Sequence, residues 1–180
     1  YSNFFSQKNV GLGHARLSII DTSAAANQPF SDETGNFTII FNGEIYNFME
    51  HRKLLEKDGV KFRTNSDTEV LLELYKKHHT ETPSMLNGFF AFAIYNHTAN
   101  ELFLARDRFG IKPLYLAEDE TQICFASEIK ALIELNIDKT PDFNSIQRYF
   151  QLNYIPGPDT IFKNVKQIEP GTSVLINNKG

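Results

Sequence analysis

The chain reads as an α+β fold of antiparallel strands and helices, on three observations. Strand-like runs follow one another as hairpins instead of alternating with helices throughout. The helical segments carry their own start and stop signals. β-Branched and aromatic residues gather in short runs, above all Phe89-Phe90-Ala91-Phe92-Ala93-Ile94-Tyr95, the composition of a strand buried on both faces.

Val10 to Ile20 and Phe37 to Phe41 are rich in strand-favouring residues. Asn47, with Glu50 three positions on, opens a helix that runs through Leu54 and Leu55 and stops at Asp58-Gly59. Ser66 and Glu69 form a capping box for a second helix, in which Val70, Leu71, Leu74 and Tyr75 recur at helical spacing as core residues. The buried strand, a turn from Asn96 to Asn100, and Glu101 to Arg106 make one hairpin; Leu114 to Leu116 and Gln122 to Phe125 make another. Helices over Ser127 to Leu135 and Asp142 to Gln151 follow. No internal repeat or low-complexity linker interrupts this order.

A length of 180 residues is enough to bury a sizeable core. A net charge of −4 without any basic run argues against a nucleic-acid partner, since phosphate binding needs clustered Lys and Arg. No apolar stretch approaches membrane-spanning length and no signal peptide is visible. The single cysteine excludes an internal disulfide and suits a reducing cytosol, so a cytoplasmic setting is expected.

The most informative stretch is Phe41-Asn42-Gly43-Glu44-Ile45-Tyr46-Asn47. It places an amide, a glycine backbone and a carboxylate in consecutive positions after a strand. Asn42 offers a side-chain N–H to a developing oxyanion, Gly43 lets a second, backbone N–H come close, and Glu44 offers a charge for an ammonium group. Asn-Gly is also a common turn dipeptide, so a hairpin turn after Phe37 to Phe41 competes with the site.

Further segments, by their order, favour the site over the turn. Gly13-His14-Ala15-Arg16-Leu17-Ser18-Ile19-Ile20-Asp21, Gln28-Pro29, the Asn42 segment, Ser66-Asp67-Thr68-Glu69, Arg106-Asp107-Arg108-Phe109-Gly110-Ile111-Lys112-Pro113-Leu114-Tyr115 and Phe125-Ala126-Ser127-Glu128-Ile129-Lys130-Ala131-Leu132 succeed one another along the chain. From about Val10 to the Gly171 region the chain resembles the glutamine amidotransferase domain of asparagine synthetases. The resemblance implies antiparallel sheets stacked face to face and flanked by helices, the αββα arrangement of N-terminal-nucleophile hydrolases. It implies an amidotransferase domain over 1–135, with 136–180 ending that domain and leading toward an ATP-dependent synthetase domain. The family's nucleophile is an N-terminal cysteine on a strand preceding the matched region, whereas this chain opens at Tyr1-Ser2-Asn3-Phe4-Phe5. The family's Ser-Gly-Gly-x-Asp-Ser loop is also lacking, and the 180 residues are read as a fragment truncated at both ends.

For the intact parent the resemblance implies a glutamine-hydrolysing asparagine synthase. Its partners would be glutamine and the synthetase domain of the same chain, with a homodimer compatible. ATP and Mg²⁺ belong to the synthetase domain, and no cofactor or metal is expected in this one. Two alternatives stand: an amidotransferase half serving another acceptor, and a non-catalytic scaffold of the kind seen where relatives such as β-lactam synthetases keep the domain and lose the cysteine.

Glutamine presents a carboxylate, an ammonium and a neutral amide, so a selective pocket needs a cation, an anion and an oxyanion hole. Arg16 can hold the α-carboxylate bidentately, and Asp67, kept ionised in the first turn of its helix, can accept the α-ammonium with or beside Glu44. By resemblance Arg16, Leu17, Ser18, Ile19, Ile20, Asn42, Gly43, Glu44 and Asp67 form the pocket, with Asn42 and Gly43 as the oxyanion hole. His14 is read as structural, because the family's base is the amine of its own N-terminal cysteine, and His78-His79 as a solvated helix end. The Arg106-Asp107-Arg108 cluster is expected to brace its turn by ion pairs rather than to face the synthetase domain.

Cys124 lies in Gln122-Ile123-Cys124-Phe125-Ala126 with no cation beside it, and is read as a small buried hydrophobe. Purified 180-residue polypeptide should therefore release no ammonia from glutamine. Turnover that Cys124→Ser abolishes would contradict this.

Overall fold

A computed structural model describes residues 2–7, 10–15 and 24–177. In chain order its main elements are β1 (Ser2–Gln7), β2 (Val10–Ala15), β3 (Phe30–Ser31), β4 (Phe37–Ile45), α1 (Phe48–Lys57), α2 (Asp67–His78), α3 (Thr82–Met85), β5 (Gly88–Asn96), β6 (Glu101–Arg106), β7 (Tyr115–Glu118), β8 (Ile123–Ala126), α4 (Ile129–Glu134), α5 (Phe143–Leu152), β9 (Val165–Gln167) and β10 (Ser173–Ile176). The fold class is α+β, as the run of hairpins demands. Two compact units result, residues 1–105 with 173–180 and residues 106–172. This is a different division from the functional one expected at residue 135.

In the first unit β1 and β2 form an antiparallel ribbon, and a five-stranded sheet takes the order β10-β6-β5-β4-β3. Alternation along the strands sorts its two faces. Ile39, Phe41 and Ile45 of β4, with Phe90, Phe92 and Ile94 of β5 and Phe103 of β6, join Leu55 of α1 and Val70, Leu71, Leu74 and Tyr75 of α2 in one buried cluster. Full burial of such a side chain contributes about 1.5–3 kcal/mol, so this face carries much of the unit's stability. The intervening Ala91, Ala93 and Tyr95 are buried too, at 5%, 1% and 2% exposure, and β5 is apolar on both faces for that reason.

β4 does not end at Phe41. It continues through Asn42, Gly43 and Glu44 to Ile45, paired with β5 in unbroken register: Asn42 opposite Ala91, Gly43 opposite Phe90, Ile45 opposite Gly88. The Asn-Gly dipeptide is therefore strand, and the hairpin-turn alternative is excluded. Two glycines make this pairing sterically feasible. A Cβ on Gly43, where φ is +154°, would lie 2.2 Å from the Phe89 carbonyl oxygen, and one on Gly88 would lie 2.1 Å from that of Glu44.

Helix entry shows two further departures. Asn47 precedes α1 without a side-chain cap; its amide instead donates to Met85 O at 3.0 Å and accepts from the Asn87 N–H at 2.9 Å. Ser66 does cap α2, accepting from the Glu69 N–H at 3.3 Å. The return half of the capping box is diverted. The Glu69 carboxylate, 3% exposed, accepts from the backbone N–H groups of Arg63 and Thr64 at 3.0 and 2.7 Å and from the Thr64 hydroxyl at 2.7 Å. It pins the approaching loop instead of the cap residue.

The second unit carries a three-stranded antiparallel sheet, β8-β7-β9, over a cluster of Ala117, Leu132, Ile137 and Val165. Its corner is built by Arg106 and Asp107, both buried. The Asp107 carboxylate accepts the N–H groups of Phe109, Ile111 and Lys112 at 3.0, 3.1 and 3.0 Å. The Arg106 guanidinium donates to the carbonyls of Gly110 and Lys112, each at 2.7 Å, and to that of Ile168. Bracing is thus their role, and backbone hydrogen bonds carry it.

Gly88→Ala tests the close approach of β4 and β5. The added methyl has backbone on the other side, not a yielding side chain, so stability should fall by about 3 kcal/mol or more. Thermal and denaturant unfolding measure it, and a loss under about 0.5 kcal/mol, the size of an ordinary surface substitution, would contradict the pairing.

Candidate active site

Hydrogen-bond parity along β4 decides which of its amides are spoken for. The Tyr46 N–H bonds Asn87 O at 2.7 Å, on the β5 side. The N–H groups of Phe41 and Ile45 point the other way, across the edge where β3 has already ended. Neither meets a strand among the described residues. Phe41 N–H donates to Gln28 Oε1 at 2.6 Å, and Ile45 N–H donates to Asp67 Oδ2 at 3.2 Å. Gly43 lies midway between them, so its N–H faces the same edge. It has no hydrogen-bond partner among the described residues.

The groups around that donor are fixed from several elements. Gln28, 5% exposed, also donates through Nε2 to Phe41 O at 3.1 Å and to Thr68 Oγ1 at 3.4 Å. His14 Nε2, 3.0 Å from Phe41 O, makes a second contact to that carbonyl. Asp67 and Thr68 form the first turn of α2, held by the Ser66 cap. Asn42 and Glu44 share the face of β4 turned away from the Phe41 and Ile45 side chains, and both are partly exposed.

Burial works against negative charge here. Burial raises the Asp67 pKa above its ordinary value of 3.8. The N–H groups of Ile45 and Thr68 and its own N–H oppose that shift, and the Glu44 charge adds to it. Desolvation is the largest of these influences, ahead of the N–H groups at the first turn of α2. A buried carboxylate with a second one acting on it forms a place where an ammonium group would be stabilised.

The Gly43 N–H and Asp67 thus come to one edge of the sheet, the Glu44 charge acts on Asp67, and Asn42 directly precedes Gly43 on β4. Arg16, Leu17, Ser18, Ile19 and Ile20 lie outside the described residues, as does the second half of the strand expected over Val10 to Ile20. His14 is tied to backbone, as a structural histidine should be. Cys124 packs partly buried against the second unit's core, and burial, then the Asp119 charge, pushes its thiol up, so it holds little thiolate. Among the described residues no three His, Cys, Asp or Glu are placed to hold a metal, and no helix is long and apolar enough to cross a membrane. Gln28 is the residue whose role the sequence did not disclose. It stood out only as Gln28-Pro29, and its side chain closes both backbone groups of Phe41.

Comparison with known proteins gives this edge its context. A profile described as the glutamine amidotransferase domain matches residues 1–180. Asparagine synthetase [glutamine-hydrolyzing] 1 of Bacillus subtilis strain 168 is 45% identical over 177 residues, which cover 98% of this chain and 28% of that protein. Asparagine synthetase [glutamine-hydrolyzing] 3 of the same organism is 36% identical over 182 residues, covering 99% of this chain and 30% of the relative. Among solved structures, the glutamine phosphoribosylpyrophosphate amidotransferase of B. subtilis in complex with ADP and GMP superposes with a TM-score of 0.67 at 26% identity, covering 94% of this chain and 33% of that one. The antiparallel sheets with flanking helices are therefore a fold that glutamine amidotransferases share, and this chain belongs to the glutamine amidotransferase domain family.

Proposed function

We propose that the protein containing this chain hydrolyses glutamine at the Asn42-Gly43 edge and delivers ammonia to the ATP-dependent amidation of aspartate. The observation that carries the reading is the Gly43 N–H, unmatched among the described residues on a strand edge whose neighbouring amides are both closed by side chains. The chain spans under a third of the two Bacillus relatives' lengths, whose names supply the acceptor chemistry.

A cysteine thiolate, contributed by the parent and activated by its own α-amine, attacks the side-chain carbonyl of glutamine. The Asn42 amide and the Gly43 N–H receive the negative charge that develops on oxygen. Ammonia leaves with the proton taken from the thiol, and water hydrolyses the thioester. Arg16 holds the α-carboxylate, with Leu17, Ser18, Ile19 and Ile20 lining the pocket beside it. Asp67 and Glu44 take the α-ammonium, whose charge relieves the repulsion between them. No cofactor acts in this domain; ATP and Mg²⁺ serve the synthetase portion. A cytoplasmic setting and a homodimer complete the proposal, the former on the single thiol.

Asn42→Ala in the full-length parent should lower glutaminase kcat by roughly a hundredfold or more with little change in KM, since the lost bond strengthens mainly in the transition state. Steady-state kinetics decide it. A pure KM effect would remove Asn42 from the oxyanion hole.

Asp67→Asn separates binding from folding. A carboxyl whose folded pKa is raised stabilises the fold below its unfolded pKa and loses that contribution as pH rises through the folded value. Without glutamine, the variant should therefore unfold at a higher temperature than wild type near neutral pH, with the gain vanishing as pH falls below the ordinary 3.8. Its KM for glutamine should rise roughly 10- to 100-fold, matching about 1.5–3 kcal/mol for a hydrogen bond to a charged group. An unchanged KM would mean that the ammonium goes elsewhere.

A further inference from the structure

An antiparallel neighbour running past Phe41 would claim every outward amide of β4, Gly43 included. Pairing must therefore stop at Phe41 without leaving that residue's buried groups unsatisfied, a cost of about 1–3 kcal/mol for each orphan. A primary amide side chain meets both conditions. It carries one acceptor and donors in the same planar unit as a peptide bond, yet occupies a single rung. Gln28 does this at Phe41, closing the N–H at 2.6 Å and the carbonyl at 3.1 Å, and its third contact, to Thr68, ties the rung to α2. Asp67 closes Ile45 from the next residue of the same helical turn. The rung between them, Gly43, stays open among the described residues, and β5 fixes its height by unbroken register.

We propose that Gln28 is a positioning residue for the hydrolysis: acting as a one-residue strand surrogate, it holds the Gly43 N–H unpaired and aimed for the oxyanion. The inference rests on the function proposed above. Gln28 touches neither glutamine nor the nucleophile; it acts through Phe41 and the register of β4. A carboxylate in its place would keep the acceptor for the Phe41 N–H but offer no donor to the Phe41 carbonyl, and a leucine would offer neither.

The test is done on the full-length parent with Gln28→Leu and Gln28→Glu, by glutaminase kinetics and by hydrogen exchange at single amides. In wild type without glutamine, the Phe41 and Ile45 amides should be protected and the Gly43 amide, between them, should exchange fast. Gln28→Leu should lose the Phe41 protection and drop kcat roughly tenfold or more, with KM within about threefold, since geometry at the developing charge is what is lost. Gln28→Glu should fall between Leu and wild type, and its kcat relative to wild type should recover as pH falls and the carboxyl regains a proton for the Phe41 carbonyl. A Gly43 amide as protected as its neighbours, or a kcat unchanged in Gln28→Leu, would overturn the proposal. Should Gln28→Leu fail to fold, the isosteric Glu variant decides the matter through its pH dependence: recovery at low pH supports the proposal, and a flat ratio to wild type overturns it. A wild type inert toward glutamine would contradict the proposed function instead, and the exchange pattern would still decide the geometry.

Discussion

Strand β4 outruns its neighbour, and the need to satisfy its orphaned edge shapes everything around the site. β3 spans only Phe30 and Ser31, opposite Ile39 and Thr38, so among the described residues the last rungs of β4 have a strand partner on one side alone. Buried backbone donors do not tolerate that condition. The chain answers with side chains from two directions, Gln28 from the segment before β3 and Asp67 from the first turn of α2, leaving Gly43 between them. A strand edge with one open donor, rigid on both sides, is preorganised for charge that does not yet exist in the resting state.

The same corner illustrates how function is carried at a cost to stability. Gly43 sits at φ +154° where a side chain would collide with the Phe89 carbonyl oxygen, and Asp67 is a buried carboxyl whose pKa desolvation raises. Neither choice improves the fold. Both are sensible if a substrate supplies what is missing, an oxyanion for the donor and an ammonium for the carboxylates. The surrounding parts are conservative by comparison: an apolar sheet face under two helices, and a Glu69 carboxylate whose hydrogen bonds fix the loop into α2.

Periodicity and capping signals made most of the elements legible from sequence. The Phe89 to Tyr95 run announced a strand buried on both faces, and Ser66 announced its helix. What stayed hidden depends on partners remote in sequence. Asn42-Gly43 carries a turn signature locally, and only β5, more than one element away, makes it strand; Gly88 shares the close approach but gives no sign of it alone. The Glu69 carboxylate left its capping box because Arg63 and Thr64 offered better-placed donors. The charges of Arg106 and Asp107 suggested ion pairs, and what they did not disclose is the set of peptide groups in a tight corner that both side chains also satisfy. Gln28 was visible as a motif and opaque as a role, since strand mimicry needs the strand that it completes.

The central claim is that the Gly43 N–H and the Asn42 amide form one oxyanion site. The most direct measurement is a crystal structure of the full-length parent after reaction with a glutamine-like aldehyde, which leaves a tetrahedral oxygen on the nucleophile. That oxygen should lie about 2.7–3.1 Å from both the Gly43 nitrogen and Asn42 Nδ2. An oxygen turned away from β4, with the Gly43 N–H still unengaged, would contradict it.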